Sequence, residues 1–127
     1  MVYAQPGNYS KGFKDRVNGR ASYSPDEYAR NLDSLVRILK KTGARLIFVT
    51  TSYVSENEPR RFAEDAQRYN KIAKKIMRAN GVLINDIYSK SRKIHKKAGK
   101  SVSDVHYTAE GYKMLGVPVC NVLKKAL

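Results

Sequence analysis

The chain has 127 residues, the size of one ordinary domain, and 42% of them are hydrophobic. A chain of this length can bury a core of its own, so it needs neither a disulfide nor a structural metal to fold. Its single cysteine, Cys120, has no intrachain partner, which excludes a disulfide framework and a cysteine-based zinc site. Because Cys120 lies in the apolar run 115–123, we expect it to be a small core residue. We therefore expect one domain that covers residues 1–127.

Charge and hydropathy narrow the class of protein further. Lysine and arginine number 25 against 11 acidic residues, and the formal net charge of +14 favours polyanionic partners such as nucleic acid, anionic lipid or acidic glycan. The charge does not choose among them. Residues 1–9 lack the basic and apolar segments of a signal peptide, and no apolar run is long enough to span a bilayer. We expect no membrane span, and the sequence leaves the compartment open.

The first predicted element is a helix that begins after Ser24. Ser24 is suited to cap the helix, Pro25 fits the first helical position, and Glu27 completes a capping box. Apolar residues then recur at helical spacing: Tyr28, Leu32, Leu35, Val36 and Leu39. The pair 42–43, Thr-Gly, predicts the end of this helix.

Two short apolar runs are predicted strands. Residues 45–51 are rich in β-branched side chains and show no polar alternation, which is typical of a parallel strand covered on both faces. Residues 82–88 repeat this pattern. Residues 2–4 are a candidate third strand. Two or three strands are too few to cover both faces of a parallel sheet and to protect its edges. We therefore expect a sheet that is incomplete, or that is completed by self-association into a homo-oligomer.

Two more helices are predicted over residues 60–79 and 108–127, and residues 89–98 are predicted to be a short basic helix or turn. Thr108 is the expected cap of the last one, and Pro118 is expected to kink or split it, because proline removes a backbone donor and crowds the preceding turn. The predicted inward face of the helix over 60–79 consists of Phe62, Ala66, Tyr69, Ile72, Ala73 and Ile76. Helices that alternate with strands indicate an open α/β sheet with right-handed crossovers.

The most informative string is residues 104–112, which reads Asp-Val-His-Tyr-Thr-Ala-Glu-Gly-Tyr. In this string an acid is followed by a histidine, and the histidine is followed by a predicted helix that begins with Thr-x-Glu-Gly. The string resembles the final block of SGNH (GDSL-type) ester hydrolases. The commonest spacing in that family places the acid three residues before the histidine, at Ser103 here, whereas some sugar-esterase-like members read Asp-Val-His. The resemblance implies that His106 is the general base and Asp104 the acid that orients it.

Further segments also resemble that family. Each match is weak by itself, but their order and spacing along the chain are specific. The segments are residues 17–20, 24–28, 31–32, 41–47 and 50–51, and the run from 69–70 to 85–88. The resemblance implies a partial three-layer, flavodoxin-like parallel sheet with flanking helices. It also implies a serine esterase for an acylated carbohydrate or another small ester, with no cofactor and no metal.

The blocks that would supply a nucleophile are absent from the sequence. No Gly-Asp-Ser turn occurs, and the Gly-Asn pair at 7–8 is a poor match to the block that supplies an oxyanion-hole asparagine. Asn8 is therefore interpreted as an ordinary turn residue. Ser52 follows a predicted strand but lacks the glycine-flanked turn that exposes a nucleophile, so we interpret it as a loop hydroxyl.

A second signal is a stretch of basic residues without an acid. Residues 89–100 contain Lys90, Arg92, Lys93, Lys96, Lys97 and Lys100, with His95 among them. A second stripe on the preceding helix consists of Arg68, Lys71, Lys75 and Arg78. This excess of one sign is unusual for a solvated helix face, although a general basic surface would also explain it. Asn85 and Asp86 either contact a ligand or satisfy the amides at a strand end.

Two hypotheses follow from the sequence. The chain is the half of an SGNH-type ester hydrolase that carries Asp104 and His106, and it is then catalytically incomplete by itself. Alternatively, it is a non-catalytic basic protein that binds polyanions such as nucleic acid or acidic glycan through residues 89–100, although no recognisable nucleic-acid-binding module is present. The first explains an ordered set of matches, and the second explains only the charge.

Overall fold

The computed structural model describes residues 3–4 and 18–126. Local sequence signals predict most of its helices and strands. In chain order the elements are β1 (Tyr3–Ala4), β2 (Arg20–Ala21), α1 (Pro25–Lys40), β3 (Ile47–Val49), α2 (Ala63–Ala79), β4 (Leu83–Asn85), α3 (Tyr88–Ala98) and α4 (Ala109–Ala126). Within this part of the chain, no helix is long and apolar enough to cross a membrane.

Helix α1 begins as its sequence predicts. The Ser24 hydroxyl accepts a hydrogen bond from the backbone N–H of Glu27 at 3.2 Å, and the Glu27 carboxylate accepts one from the backbone N–H of Ser24 at 2.8 Å. This reciprocal pair satisfies two of the amides that have no partner within the helix. After the helix, Gly43 adopts a φ of 74°, a left-handed conformation that glycine enters without a steric cost.

Strands β3 and β4 are adjacent and parallel, which confirms the predicted pairing. Ile47 lies opposite Leu83, and Val49 lies opposite Asn85. The chain therefore has a mixed α/β fold with a short, partial parallel sheet flanked by helices. The expectation that both faces of the strands are covered is wrong in part, since Val49 and Leu83 are exposed. Both strands are edge strands in this two-stranded sheet, so no further strand among the described residues lies beside them to extend the covered surface.

The candidate third strand does not join this sheet. Tyr3–Ala4 pairs with Arg20–Ala21 in a separate antiparallel ribbon, with Tyr3 opposite Ala21. The predicted strand over 2–4 is therefore wrong as an addition to the parallel sheet, and Val2 lies outside the described residues. The ribbon leaves β3 and β4 as the whole of the parallel sheet among the described residues.

The helices pack in two pairs, α1 with α2 and α3 with α4, and β4 contacts both α2 and α4. The first hydrophobic cluster joins α1, α2 and the sheet, and it is centred on Val36, Met77 and Val82. The second joins α3 to α4 through Ile94 and Ala98. The predicted inward residues of α2 are all buried or half-buried. The α3–α4 pair places the segment 99–108 at the side of the molecule where both helices meet.

The surroundings of a few single residues could not be read from the helical pattern. Cys120 is exposed, so it is not a core residue. Leu35 and Leu39 are 50% and 41% exposed, because the buried side of α1 is centred on Val36. Of the two outcomes expected at Pro118, a split is wrong, because α4 runs through it as one helix, and a kink stays a prediction. The exposure of Cys120, Leu35 and Leu39 depends on which side of a helix faces the core, and the neighbouring elements decide that side.

Candidate active site

The segment between α3 and α4 folds back on itself as a short loop. The N–H of Lys100 donates to the carbonyl of His106 at 3.0 Å, and the N–H of Thr108 donates to the carbonyl of Ala98 at 2.9 Å. Gly99 and Tyr107 form an antiparallel bridge between these two bonds. The loop is thus closed at its base by main-chain hydrogen bonds, and residues 101–105 project from that base.

Asp104, in the projecting part of the loop, contacts His106 at its base. Oδ1 of Asp104 accepts a hydrogen bond from the backbone N–H of His106 at 2.9 Å, and it lies 2.5 Å from Nδ1 of the His106 ring. An ionised carboxylate can only accept hydrogen bonds, so Nδ1 carries the proton and Nε2 keeps its lone pair when the ring is neutral. The His106 side chain is 62% exposed. Nε2 has no hydrogen-bond partner among the described residues.

The contacts of the pair also set the charge of the acid. The backbone N–H of His106 lowers the pKa of Asp104 most, and the hydrogen bond from the His106 side chain lowers it further. The positive charge of Lys100 acts in the same direction, more weakly. Both hydrogen bonds are made to the ionised form and therefore favour it. The carboxylate is therefore held in the charged state that fixes the tautomer of His106.

The beginning of α4 fixes the base of the loop. Oγ1 of Thr108 accepts from the N–H of Gly111 at 3.2 Å and donates to the carbonyl of Ala98 at 3.1 Å, so the predicted cap is confirmed. Gly111 packs closely against the end of α3. A Cβ at this position would lie 2.5 Å from the Ala98 carbonyl oxygen. In the Thr-x-Glu-Gly string, the threonine therefore caps the helix and the glycine permits its close packing on α3.

Ser52 lies in the loop that follows β3, close to Tyr107. Tyr107 is 3% exposed, and its hydroxyl donates to the carbonyl of Ser91 at 3.4 Å. Burial raises the pKa of Tyr107, and the neighbouring Ser91 and Ser52 oppose the shift. The interpretation of Ser52 as a loop hydroxyl stays a prediction. Asn8 lies outside the described residues.

Asn85 and Asp86 satisfy strand-end groups. Nδ2 of Asn85 donates to the carbonyl of Pro118 at 3.2 Å, which ties β4 to α4. Oδ1 of Asp86 accepts from the Thr50 hydroxyl, and its other oxygen lies 2.7 Å from the Lys74 ammonium. These contacts support the structural interpretation of the pair. Within residues 18–126, no group of three His, Cys, Asp or Glu side chains could hold a metal ion.

His95 is the residue of this region that the sequence analysis missed, since it was considered only as part of the basic stretch. Its ring is 8% exposed, and Nε2 lies 2.6 Å from the backbone carbonyl oxygen of Asp104. A signal for its burial was present in the sequence. Ser91, Ile94, His95 and Ala98 recur at helical spacing and form the buried face of α3.

The basic residues of α3 lie on the outside. The exposed members of the stretch are Lys90, Arg92, Lys93, Lys96, Lys97 and Lys100. The Arg92 guanidinium lies over the Tyr53 ring, 5.7 Å from its centroid. No ion pair joins these six side chains to an acid in the part of the chain that the structure describes.

Comparison with known proteins bears on the fold. Neither a family model nor a curated protein matches the chain. A similar solved structure is that of LAE5, an alpha/beta hydrolase enzyme from the metagenome of Lake Arreo, Spain, at 18% sequence identity and a TM-score of 0.62. The match covers 76% of this chain and 46% of that one. The chain thus spans about half the length of that enzyme, and at this identity the likeness establishes that the fold is similar to that of an alpha/beta hydrolase, with a partial sheet.

Proposed function

We propose that this chain is the histidine-bearing half of an SGNH-type serine ester hydrolase. The single observation that carries the proposal is the contact of Asp104 with Nδ1 of His106, which leaves Nε2 with a lone pair on an exposed ring. Its sequence context, residues 104–112, resembles the final block of that family. The substrate class is an ester of an acylated carbohydrate or another small ester, and the reaction needs no metal and no cofactor.

The roles that the resemblance implies for the two residues agree with their geometry. Nε2 of His106 would take the proton of a serine hydroxyl as that oxygen attacks the ester carbonyl, and it would later return the proton to the leaving alcohol. Asp104 would keep the ring in the required tautomer and stabilise the imidazolium that forms. The serine and most of the oxyanion hole would come from polypeptide outside this chain's 127 residues.

The proposal is tested first on the chain itself. Hydrolysis of an aryl acetate is measured for the wild type and for His106→Ala, together with labelling by a serine-directed phosphonate. We expect equal, negligible rates and no labelled serine, because a base without its nucleophile loses nearly all of the acceleration. Robust turnover that His106→Ala abolishes, with the probe mapped to Ser52 or Ser10, would contradict the proposal that the chain is catalytically incomplete.

The second test supplies the missing half. The genomic DNA upstream of codon 1 is sequenced, and any in-frame extension that encodes a Gly-Asp-Ser block is expressed together with the chain. We expect esterase activity that His106→Ala reduces by about 10³-fold or more. An active extended protein whose rate does not depend on His106 would refute the assigned role. Absence of such an extension would favour the non-catalytic alternative.

That alternative is a basic protein that binds polyanions. The observation in its favour is the set of six exposed basic side chains on α3 and the following loop, which make no ion pair among residues 18–126. Binding to heparin is measured over a range of salt concentrations. If this face binds, Lys93→Glu with Lys97→Glu weakens binding more than the same charge change at Lys71 and Lys75 on α2. Equal effects would indicate a general attraction to net charge.

A further inference from the structure

Asp104 and His106 lie on an exposed loop. Such a loop keeps the two side chains in one relative position only if contacts from the rest of the protein hold it in place. The main-chain bonds at its base end at Lys100 and His106. Asp104 lies beyond them, and its own N–H makes only a long bond of 3.3 Å to the carbonyl of Ser101. The His106 backbone N–H holds the carboxylate within the loop, so the position of the Asp104 main chain depends on a contact from outside the loop.

His95 supplies that contact from the buried face of α3. Its Nε2 lies 2.6 Å from the carbonyl oxygen of Asp104. A carbonyl oxygen only accepts hydrogen bonds, so Nε2 of His95 is the donor. The bond crosses from a helix to the loop, and it fixes the peptide unit that follows the Asp104 carboxylate. The other hydrogen bonds of the loop beyond its closed base join residues within the loop, whereas this bond comes from a helix.

The His95 ring is packed between two aromatic side chains. Tyr53 and Tyr107 contact it in T-shaped geometry, with ring centroids 5.5 and 5.4 Å away and interplanar angles of 65° and 90°. Edge-to-face contacts of this kind stabilise an aromatic pair. Gly99 closes the remaining side, where a Cβ would lie 2.9 Å from Nε2 of the ring. A side chain that is packed on three sides can locate a loop more accurately than an exposed one.

We propose that His95 is a positioning residue, which donates a hydrogen bond from Nε2 to the Asp104 carbonyl and thereby holds the Asp104 carboxylate against Nδ1 of His106. This inference rests on the proposed function, because it assigns His95 to the support of that pair. His95 does not touch the reacting atoms. Its effect passes through the geometry of Asp104.

The test reads the geometry of the pair directly, by NMR on the isolated chain. Long-range ¹H–¹⁵N spectra, recorded at a pH where His106 is neutral, give its tautomer, and ¹³C titration gives the pKa of Asp104. In the wild type we expect Nδ1–H on His106 and an Asp104 pKa below its ordinary value. In His95→Ala we expect loss of the predominant Nδ1–H form and a rise of the Asp104 pKa towards its ordinary value.

Two further variants separate positioning from general packing. His95→Gln keeps a donor that can reach the carbonyl, so it should restore both wild-type signals. Gly99→Ala keeps His95 but adds a methyl group 2.7 Å from its backbone carbonyl oxygen and 2.9 Å from Nε2 of its ring, so it should weaken both signals even if His95→Ala fails to fold. Gly116→Ala is the matched control, because nothing lies within 4 Å of the added methyl group.

The outcomes distinguish the inference from the function on which it rests. Unchanged signals in folded His95→Ala or in Gly99→Ala, with the wild type as expected, would overturn the role of His95 and leave the Asp104–His106 pair intact. A folded His95→Gln that resembles His95→Ala would overturn the hydrogen bond as the cause. A wild type without Nδ1–H on His106 would overturn the pair itself and the inference with it.

Discussion

At the scale of single residues, Asp104 decides which nitrogen of His106 carries the proton. The carboxylate lies 2.5 Å from Nδ1 and accepts from the backbone N–H of the same residue. We predict that Asp104→Ala releases the tautomer, so that the Nε2–H form appears in long-range ¹H–¹⁵N spectra at a pH where the ring is neutral. Ser103→Ala, at the acid position of the commonest family spacing, is the control and should keep the wild-type tautomer. If Ser103→Ala had the larger effect, Asp104 would lose its assigned role.

The same residue predicts a pH dependence of stability. The pKa of Asp104 is lowered in the folded chain, first by the backbone N–H of His106 and then by its ring. A lowered pKa contributes stability above the pKa of the unfolded chain, and the contribution is lost as the pH falls through the folded value. The difference in unfolding midpoint between wild type and Asp104→Ala should therefore be present at pH 6 and vanish in strong acid. Urea unfolding at several pH values measures it, and a difference that grows in acid would contradict the assignment.

At the scale of elements, Gly111 and Gly116 occupy the same helix in opposite surroundings. A methyl group at Gly111 would lie 2.5 Å from the Ala98 carbonyl oxygen and 2.9 Å from Cβ of Tyr107, whereas nothing lies within 4 Å at Gly116. We predict that Gly111→Ala lowers the free energy of unfolding by about 1–3 kcal/mol through overpacking. Gly116→Ala should raise it by up to about 1 kcal/mol, because alanine favours the helix. Urea unfolding of both variants gives the sign, and destabilisation by Gly116→Ala alone would contradict the packing of α3 on α4.

The elements also explain why two helix faces were harder to predict than the helices themselves. The capping box at Ser24 and Glu27 is local and was confirmed with its hydrogen bonds. Val36 is buried and Leu35 is exposed because of where α2 packs against α1. The local sequence of α1 does not specify the position of α2. The exposure of Cys120 has the same origin. Residue spacing predicts a helix, whereas the partner helix selects its buried side.

At the scale of the whole molecule, a partial sheet leaves apolar surface without cover. Tyr23, Leu35, Ile38 and Val49 are among the exposed large apolar residues. Tyr23 and Leu35 also line a groove of about 480 Å³. We predict that the isolated chain self-associates, because exposed apolar surface and unpaired strand edges favour contact with another copy. Light scattering on a size-exclusion column measures the mass.

A matched pair of variants locates the contact. Leu35→Arg should reduce the mass towards that of one chain, while Val117→Arg, at a similarly exposed position on α4, should not. A monomer at high micromolar concentration would show that the chain needs no second copy, and the prediction of self-association would then be wrong. Equal effects of the two variants would place the contact elsewhere.

The sequence by itself determined the helices, the two parallel strands and the pair of residues at the candidate site. Their signals are local: a capping box, two short β-branched runs, and an acid two residues before a histidine. The tertiary structure decided what depends on contacts distant in the chain. It placed Tyr3–Ala4 in an antiparallel ribbon, exposed Val49 and Leu83, and brought the His95 ring to the Asp104 carbonyl. The physical reason is that burial and hydrogen bonding between elements depend on which surfaces pack together. The residue pattern within one element does not determine its packing partner.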